Sequence, residues 1–532
     1  MGIIHSHYSK KKGEVILQVF KLIYVLFRVK LFSPLGLYSL IAAIHKYGIN
    51  LMPLLSFAER VYSDKVAVVD DHETLNYQQL LLQSKKLSAI FNERYQLSSG
   101  NKVGIMCKNH ASLIKAIFAL SLLGVDVYLL NAEISKHQFN NLIKRYDFNL
   151  LIYDFQLDSL VKQSDYANGV VLSYHTDLPA ISNLLNSVSE QQEIKRSSPG
   201  KLVILTGGTT GDPKAAPYKP SLLNFLNPFL ALITRLKLLN YRTAYIATPI
   251  YHGYGVGILF VLIALGRKIV ISNGFDAQRA CSLIREHNVE VVTVVPLMID
   301  KMLNNNVEDL NSLACIASGG AQLNPRLVGE TMNKLGSVLY NLYGTSEAGL
   351  NVIATPQDLS YSAETIGKKI DGVRLKVLDQ HKNEVEAGEV GQFCIKNRWS
   401  MSNQNNCWLE TGDLGYKDSR GHYYLCGRVD DMVVSAGENV YPIELEQILL
   451  NHPEVEEAAV IGVSDEKFGQ RLKAFVLPAA NATVTKEELF QWLGPRVARF
   501  QMPKDIAFVD DMPYTPVGKL DKKQLKFSEK SF

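Results

Sequence analysis

Cysteine is scarce in this 532-residue chain, and the six that occur are scattered. Cys107, Cys281, Cys315, Cys394, Cys407 and Cys426 form no CxxC pair and stand beside no histidine cluster. That spacing argues against structural zinc and against a disulfide framework, and it fits a reducing compartment. No basic stretch interleaves with aromatic residues, and a net charge of +4 is too small to draw nucleic acid, so nucleic acid is not an expected partner. Internal repeats and low-complexity tracts are missing too. Near the N-terminus, the uncharged run after Lys30 contains Pro34 and falls short of the roughly 20 residues a membrane span requires. Charges also interrupt the apolar region there and no clear cleavage site follows, which argues against a cleaved signal peptide.

What remains is an ordinary globular balance, 47% apolar and 20% charged, in a chain long enough for more than one domain. The first 53 residues stand apart. In VILQVFKLIYVLFRVKLF (15–32), Glu14, Gln18, Lys21, Val25 and Arg28 recur at steps of four and three. Wound as a helix, this leaves one narrow polar stripe and a wide apolar surface. Lys10, Lys11 and Lys12 precede it, as in a cationic helix lying in a membrane interface. Two readings stand: an ordinary helix packed on the body of the protein, or a peripheral membrane contact through residues 1–50 on the inner, cytoplasmic face. Met1-Gly2 with Ser6 also fits the loose myristoylation pattern.

From about Leu54 onward short apolar runs alternate with helix-like segments. VGIM (103–106), LVILT (202–206), AYIATP (244–249), KIVIS (268–272), VVTVV (291–295), LACIAS (313–318) and VLYNLYG (338–344) read as strands. DAQRACSLIREHN reads as a helix with Asp276 as its cap. Alternation of this kind predicts an α/β protein, with a large N-terminal domain (54–426) of helix-covered mixed sheets. Near residue 427 the rhythm changes. PIELEQILLNH and KEELFQWLG become helices among short strands, which predicts a small α+β C-terminal domain over 427–532.

One loop carries the first chemical signal. LTGGTTGDPK (205–214) follows an apolar strand and suggests a phosphate cradle. It is not a Walker loop, because Asp212-Pro213 separates Gly211 from Lys214 and Ala215 follows the lysine. Thr206, Thr209 and Thr210 still supply hydroxyls. Gly207, Gly208 and Gly211 let backbone N–H groups approach an anion, and Lys214 supplies charge.

The loop has companions. TPIYHGYG (248–255), SGGAQL (318–323), NLYGTSEAG (341–349), WLETGDLGY (408–416), GRVDDMVVSAGENVYPIELE (427–446) and PVGKLD (516–521) follow in order. Together with the loop they resemble the adenylate-forming superfamily, which includes acyl-CoA synthetases, luciferases and the adenylation domains of peptide synthetases. The likeness covers residues 54 to 532. It implies an enzyme that joins a carboxylate to the α-phosphate of ATP, expels pyrophosphate and then lets a thiol displace AMP. ATP, Mg²⁺ and coenzyme A are the implied cofactors.

The same resemblance implies roles for individual residues. Tyr343 stacks on adenine, Asn341 bonds its amino edge, and the backbone of Gly319, Gly320 and Ala321 lines the other side. Gly344 and Thr345 belong to the same nucleotide-binding motif. Ser346, where the family more often has threonine, contacts phosphate. Glu347 holds Mg²⁺ as a hard oxygen ligand. Asp413 accepts the ribose hydroxyls and Arg428 donates to the same sugar. Lys519 bridges the substrate carboxylate and the α-phosphate, and His252 is the third catalytic position. The small domain is mobile about Asp430, which is the implied hinge, and Ser435, Ala436 and Gly437 border a thiol tunnel. Close relatives have Gly-Gly where this chain has Ala436-Gly437.

Two positions speak to the acid. Where peptide-synthetase domains carry an aspartate for the α-ammonium, this chain has His252, so an amino acid would bury an uncompensated charge. Acetate-specific relatives block the pocket floor with tryptophan where this chain has Gly344. A medium- to long-chain fatty acid is the expected substrate. An aryl-CoA ligase is the runner-up, and an acyl-AMP ligase loading a separate acyl carrier protein is the alternative for the second step. The segment after GQFCIKN (391–397) is shorter than the family usually has, with RWSMSNQNNC leading directly to Trp408, and Gln392 replaces a customary glutamate.

Overall fold

The apolar runs become strands and the amphipathic stretches between them helices in the computed structural model. It describes residues 22–186, 199–206, 214–218, 224–400, 407–435, 438–465, 469–515 and 518–529. The chain divides into two units, Met1–Val294 with Asn305–Ala317, and Val295–Asn304 with Ser318–Phe532.

The first unit is built on two sheets. One runs Thr74–Asn76, Val66–Val69, Lys268–Val270, Thr243–Ile246, Val291–Val294 and the first three residues of Cys315–Gly319 in spatial order. Its registered pairs are parallel except for the hairpin at the Thr74–Asn76 edge. The other runs Gly169–Leu172, Leu150–Tyr153, Lys102–Met106, Asp126–Leu129, Leu202–Thr206 and Lys214–Tyr218, again parallel up to a closing hairpin. Leu150–Tyr153 and Val291–Val294 are buried along their whole length, as parallel strands covered on both faces must be. The helix Ala111–Leu123 is buried on every side and carries Lys115 inside, where its ammonium meets Glu73 at 2.6 Å and Gln83 at 3.1 Å. Asp276 caps Ala277–His287, accepting from the Arg279 N–H at 2.8 Å, as the sequence predicts.

At the N-terminal side of this unit the described helix ends at residue 28, and Lys30 turns the chain with φ +61°. The expected helix over Val15–Phe32 is therefore shorter than its apolar pattern at this end, and residues 1–21 lie outside the described part. A second helix, Pro34–Tyr47, starts with proline at its first turn and Ser33 Oγ accepting from the Gly36 N–H. Among the described residues no helix is long and apolar enough to cross a membrane.

The second unit also holds two sheets. Arg374–Leu378, Gly391–Lys396, Leu409–Lys417, Tyr423–Arg428, Thr365–Lys369, Gly349–Ala354 and Leu339–Thr345 lie side by side, antiparallel in every registered pair. The smaller sheet runs Glu438–Val440, Val433–Ser435, Gly469–Pro478 and Val455–Asp465, with Asp505–Phe508 added parallel to Gly469–Pro478. Helices Pro442–Leu450 and Lys486–Leu493 close over it, burying Leu445, Leu449, Leu489 and Leu493 against Val460, Leu472 and Ile506. The predicted α/β class, with large helix-covered sheets and a smaller α+β region at the C-terminal end, is the observed one.

Candidate functional site

Residues singled out by sequence fall in both units. In the first, the glycine-threonine loop joins two paired strands: Leu202–Thr206 returns as Lys214–Tyr218, with Thr206 opposite Lys214. A Walker loop would pass from strand to helix, so the hairpin gives a topological reason for the failed spacing. Gly207, Gly208, Thr209, Thr210 and Gly211 lie outside the described residues. His252 is the N-cap of Gly253–Ala264, with its ring 4.6 Å from that of Tyr251.

The second unit brings four predicted residues together. Leu339–Thr345 carries Asn341 and Tyr343, both buried. The Tyr343 hydroxyl donates to Asp413 Oδ2 at 2.6 Å, and Arg428 Nη1 donates to Asp413 Oδ1 at 2.8 Å. Asp413 and Arg428 face each other across adjacent strands, so backbone register sets their spacing. The Asp413 N–H donates to Thr411 Oγ1, which in turn donates to the Phe393 carbonyl. Burial pushes the Asp413 carboxyl above its ordinary pKa, opposed by Tyr343, Arg428 and Lys519. Burial, with the same carboxylate beside it, holds the Tyr343 phenol well above 10, so it stays a donor.

Lys519 is the fourth member. The Lys519 N–H donates to Thr515 Oγ1 at 3.1 Å, the Thr515 N–H donates to the Lys519 carbonyl at 2.7 Å, and the Gly518 N–H closes onto the Thr515 carbonyl. The turn needs glycine at 518, where φ is +72° and a Cβ would sit 2.8 Å from Val295. Crowding by protein lowers the Lys519 pKa below the usual lysine value, and Arg428 lowers it further, while Asp413 and Glu347 push it back up. Water still reaches this side chain, so screening tempers the shift.

Glu347 sits half-buried on the turn between Leu339–Thr345 and Gly349–Ala354, which the Ala348 N–H closes onto Thr345 Oγ1 at 3.0 Å. A single carboxylate on a rigid turn suits Mg²⁺, which keeps several waters and takes its other oxygens from phosphates. Ser346 is exposed on the same turn. At Gly344 a Cβ would come 2.3 Å from the Gly349 carbonyl oxygen, so the close backbone approach demands glycine there. Gly319 ends the strand Cys315–Gly319, Gly320 turns with φ +82°, and Ala321 leads toward the helix Pro325–Leu335. Asp430 lies in the turn Val429–Asp431, 3.7 Å from Arg428 Nη2. Ser435 is buried at the end of Val433–Ser435, and Ala436 and Gly437 are outside the described residues.

Two groupings were not foreseen. Asn397 reaches back to the Glu347 turn, its Nδ2 donating to the Ala348 carbonyl and to Asn351 Oδ1, both at 2.8 Å. Its Oδ1 accepts from the Trp399 and Ser400 N–H groups, and Trp399 Nε1 donates to the Leu350 carbonyl at 3.1 Å. The only sequence signal was a tryptophan in an otherwise polar stretch. In the first unit, Cys107, His110 and Asp154 form a buried group with metal-like spacing. His110 Nδ1 accepts from the Leu113 N–H, so Nε2 carries the proton and donates to Asp154 Oδ1. Asp154 also accepts from the Lys108 N–H and the Ser173 hydroxyl, and burial holds the Cys107 thiol protonated. With these atoms occupied, the group is a hydrogen-bonded knot within the core.

The family model described as AMP-binding enzyme matches residues 56–403, and that of the AMP-binding enzyme C-terminal domain matches 444–519. A 2-succinylbenzoate–CoA ligase of Bacillus licheniformis is 27% identical over 87% of this chain and 96% of its own length. A fatty acid–[acyl-carrier-protein] ligase, ScoC, of Streptomyces coeruleorubidus is 26% identical over 90% and 96% respectively. Among solved structures, the o-succinylbenzoate coenzyme A synthetase of Bacillus subtilis, in complex with ATP and magnesium, is 25% identical. It superposes with a TM-score of 0.77 over 89% of this chain and 99% of that one.

Proposed function

The chain belongs to the AMP-binding enzyme family, and from that premise we propose that it is an acid–thiol ligase that activates a carboxylic acid with ATP and passes it to coenzyme A. The observation that carries this reading is the meeting of Tyr343, Arg428 and the charge of Lys519 on one partly buried carboxylate, Asp413.

In this reading Asp413 accepts the ribose hydroxyls on lone pairs left over from Tyr343 and Arg428, and Arg428 donates to the same sugar. Asn341 and the Tyr343 ring hold adenine beside the backbone of Gly319, Gly320 and Ala321. Thr206, Lys214 and the loop between them take the outer phosphates, and Ser346 another phosphate oxygen. Glu347 holds Mg²⁺, which offsets phosphate charge when bound. Lys519 draws the substrate carboxylate and the α-phosphate together. A carboxylate oxygen forms the new bond to phosphorus, the bond to the bridging oxygen breaks, and pyrophosphate leaves with that electron pair. In the second step the thiolate adds to the acyl carbon and AMP departs. The small C-terminal domain turns about Asp430 between the steps, bringing Ser435, Ala436 and Gly437 to the thiol. His252 stays a catalytic position by resemblance.

For the acid we propose a lipophilic carboxylic acid larger than acetate. The likeness to a fatty acid ligase supports a medium- to long-chain fatty acid. The likeness to 2-succinylbenzoate–CoA ligases favours an aryl acid as the second reading. The carrier-protein ligase among the relatives keeps a separate acyl carrier protein as the alternative acceptor. We place the enzyme at a membrane surface through residues 1–53. A pyrophosphate-release screen over fatty and aromatic acids, with and without coenzyme A, tests the reading. Acid-dependent release without thiol, followed by thioester when coenzyme A is added, is the expected result. Release from no acid overturns it.

A further inference from the structure

The first unit carries an apolar surface of a kind found nowhere else on the described residues. Of the twenty large apolar side chains exposed there, nine fall between Ile23 and Ile49. All but Phe32 and Ile49 belong to two short helices, and this segment already buries another face: Val25, Val29, Ala43 and Tyr47 point inward, and the Tyr62 hydroxyl reaches the Val29 carbonyl at 3.5 Å. Phe27, Phe32, Leu35, Tyr38 and Ile41 point outward, with Phe27 71% and Tyr38 66% exposed. One packing contact explains the inner face and leaves the outer one unexplained. Large clustered apolar patches on a surface mark a contact with something else.

Charge indicates what that contact is. From Val15 to Ala58 the chain has no acidic residue, while Lys21, Arg28, Lys30 and Lys46 are basic. Arg28, Lys30 and Lys46 are exposed among the outward apolar side chains. Arg28 lies over the Tyr24 ring at 5.7 Å and Arg60 over the Tyr38 ring at 5.9 Å, so cations border the aromatic side chains. The family match begins at residue 56, so this stretch lies outside the matched region. Apolar side chains edged by cations, with no acid nearby in sequence, complement a bilayer interface bearing anionic headgroups.

We propose that the outward face of residues 22–49 docks the enzyme on an anionic bilayer, with Phe27, Phe32, Leu35, Tyr38 and Ile41 entering the acyl boundary and Arg28 and Lys30 meeting headgroups. The inference rests on the membrane placement made above and names the surface and its partner.

The test is flotation of the full-length protein with vesicles of phosphatidylcholine alone or with phosphatidylglycerol added. The expected result is binding that needs the anionic lipid and weakens with salt. In Phe27→Glu/Tyr38→Glu/Ile41→Glu the half-saturating lipid concentration should rise about tenfold or more, and Arg28→Glu/Lys30→Glu should lose the preference for anionic lipid. Pyrophosphate release from a dissolved acid, measured without vesicles, should be unchanged in both variants and shows that they fold. Undiminished vesicle binding by the triple variant overturns this surface while leaving the membrane placement, since residues 1–21 would then carry it. No vesicle binding by the parent protein overturns both. A parent protein that sediments as a dimer which the triple variant loses assigns the face to a second copy and overturns the lipid partner.

Discussion

Lys519 must satisfy two opposing demands. In its proposed role it has to be charged to draw two anions together, yet the protein crowding around it favours the neutral amine. Asp413 and Glu347 offset that penalty, and Arg428 adds to it. Because the charged form is the working one, alkaline loss of adenylation should begin below the usual lysine range. Removing Asp413's pull, as in Asp413→Asn, lowers the Lys519 pKa further. Removing Arg428's push, as in Arg428→Gln, raises it. The pH dependence of amine acylation at Lys519, followed by peptide mass spectrometry, should therefore move in opposite directions in the two variants. Movement in the same direction would break the proposed coupling. Lys519→Ala should lower acid-dependent pyrophosphate release by about 10²–10³-fold, the scale of removing one preorganised charge-stabilising group. It should still convert supplied acyl-AMP to thioester. Equal loss of both steps would mean that Lys519 has another role.

At the scale of elements, the turn bearing Glu347 is held from outside its own hairpin. Asn397 uses both ends of its amide, binding Ala348 and Asn351 with the nitrogen and the Trp399 and Ser400 N–H groups with the oxygen. The shortened segment after residue 397 thus begins with a clamp. In Asn397→Ala several buried groups lose their partners at about 1–3 kcal/mol each, so the melting temperature should fall. A merely structural residue would lower stability alone. A residue that positions Glu347 should also raise the half-saturating Mg²⁺ concentration for pyrophosphate release, by about tenfold for each 1.4 kcal/mol of lost metal binding, with the KM for the acid nearly unmoved. Trp399→Phe keeps an aromatic side chain but removes the bond to the Leu350 carbonyl and part of the buried indole; it leaves the Asn397 amide bonds in place, so it should lower stability while retaining near-parental Mg²⁺ dependence. An unchanged Mg²⁺ requirement in Asn397→Ala would reduce the clamp to a packing feature.

Across the whole molecule, the legible features were those set by neighbours in sequence. The run LVILT became Leu202–Thr206 because a strand buried along most of its length is apolar nearly throughout, and Asp276 capped its helix because its side chain reaches the N–H three residues on. The hairpin that closes on the glycine-threonine loop was not legible, since whether a strand returns or becomes a helix depends on what covers it. Nor was the bond from Tyr343 to Asp413, 70 residues apart, which arises only when strands from distant segments come into register. A change of state is harder still to read from sequence, and the proposed hinge is where it can be tested. Asp430 sits in a single turn between Tyr423–Arg428 and Val433–Ser435, tethered by Arg428 at 3.7 Å. Proline there fixes φ near −65°, a value a short turn of this kind accommodates, and so removes the torsion on which the proposed alternation depends. Asp430→Pro should therefore keep acid-dependent pyrophosphate release near the parental rate while slowing thioester formation from the same acid by about tenfold or more, the scale expected when a conformational step becomes limiting. Parental rates in both steps would show that the small domain turns elsewhere, and loss of the first step alone would show that the ATP-competent arrangement already needs a φ that proline forbids.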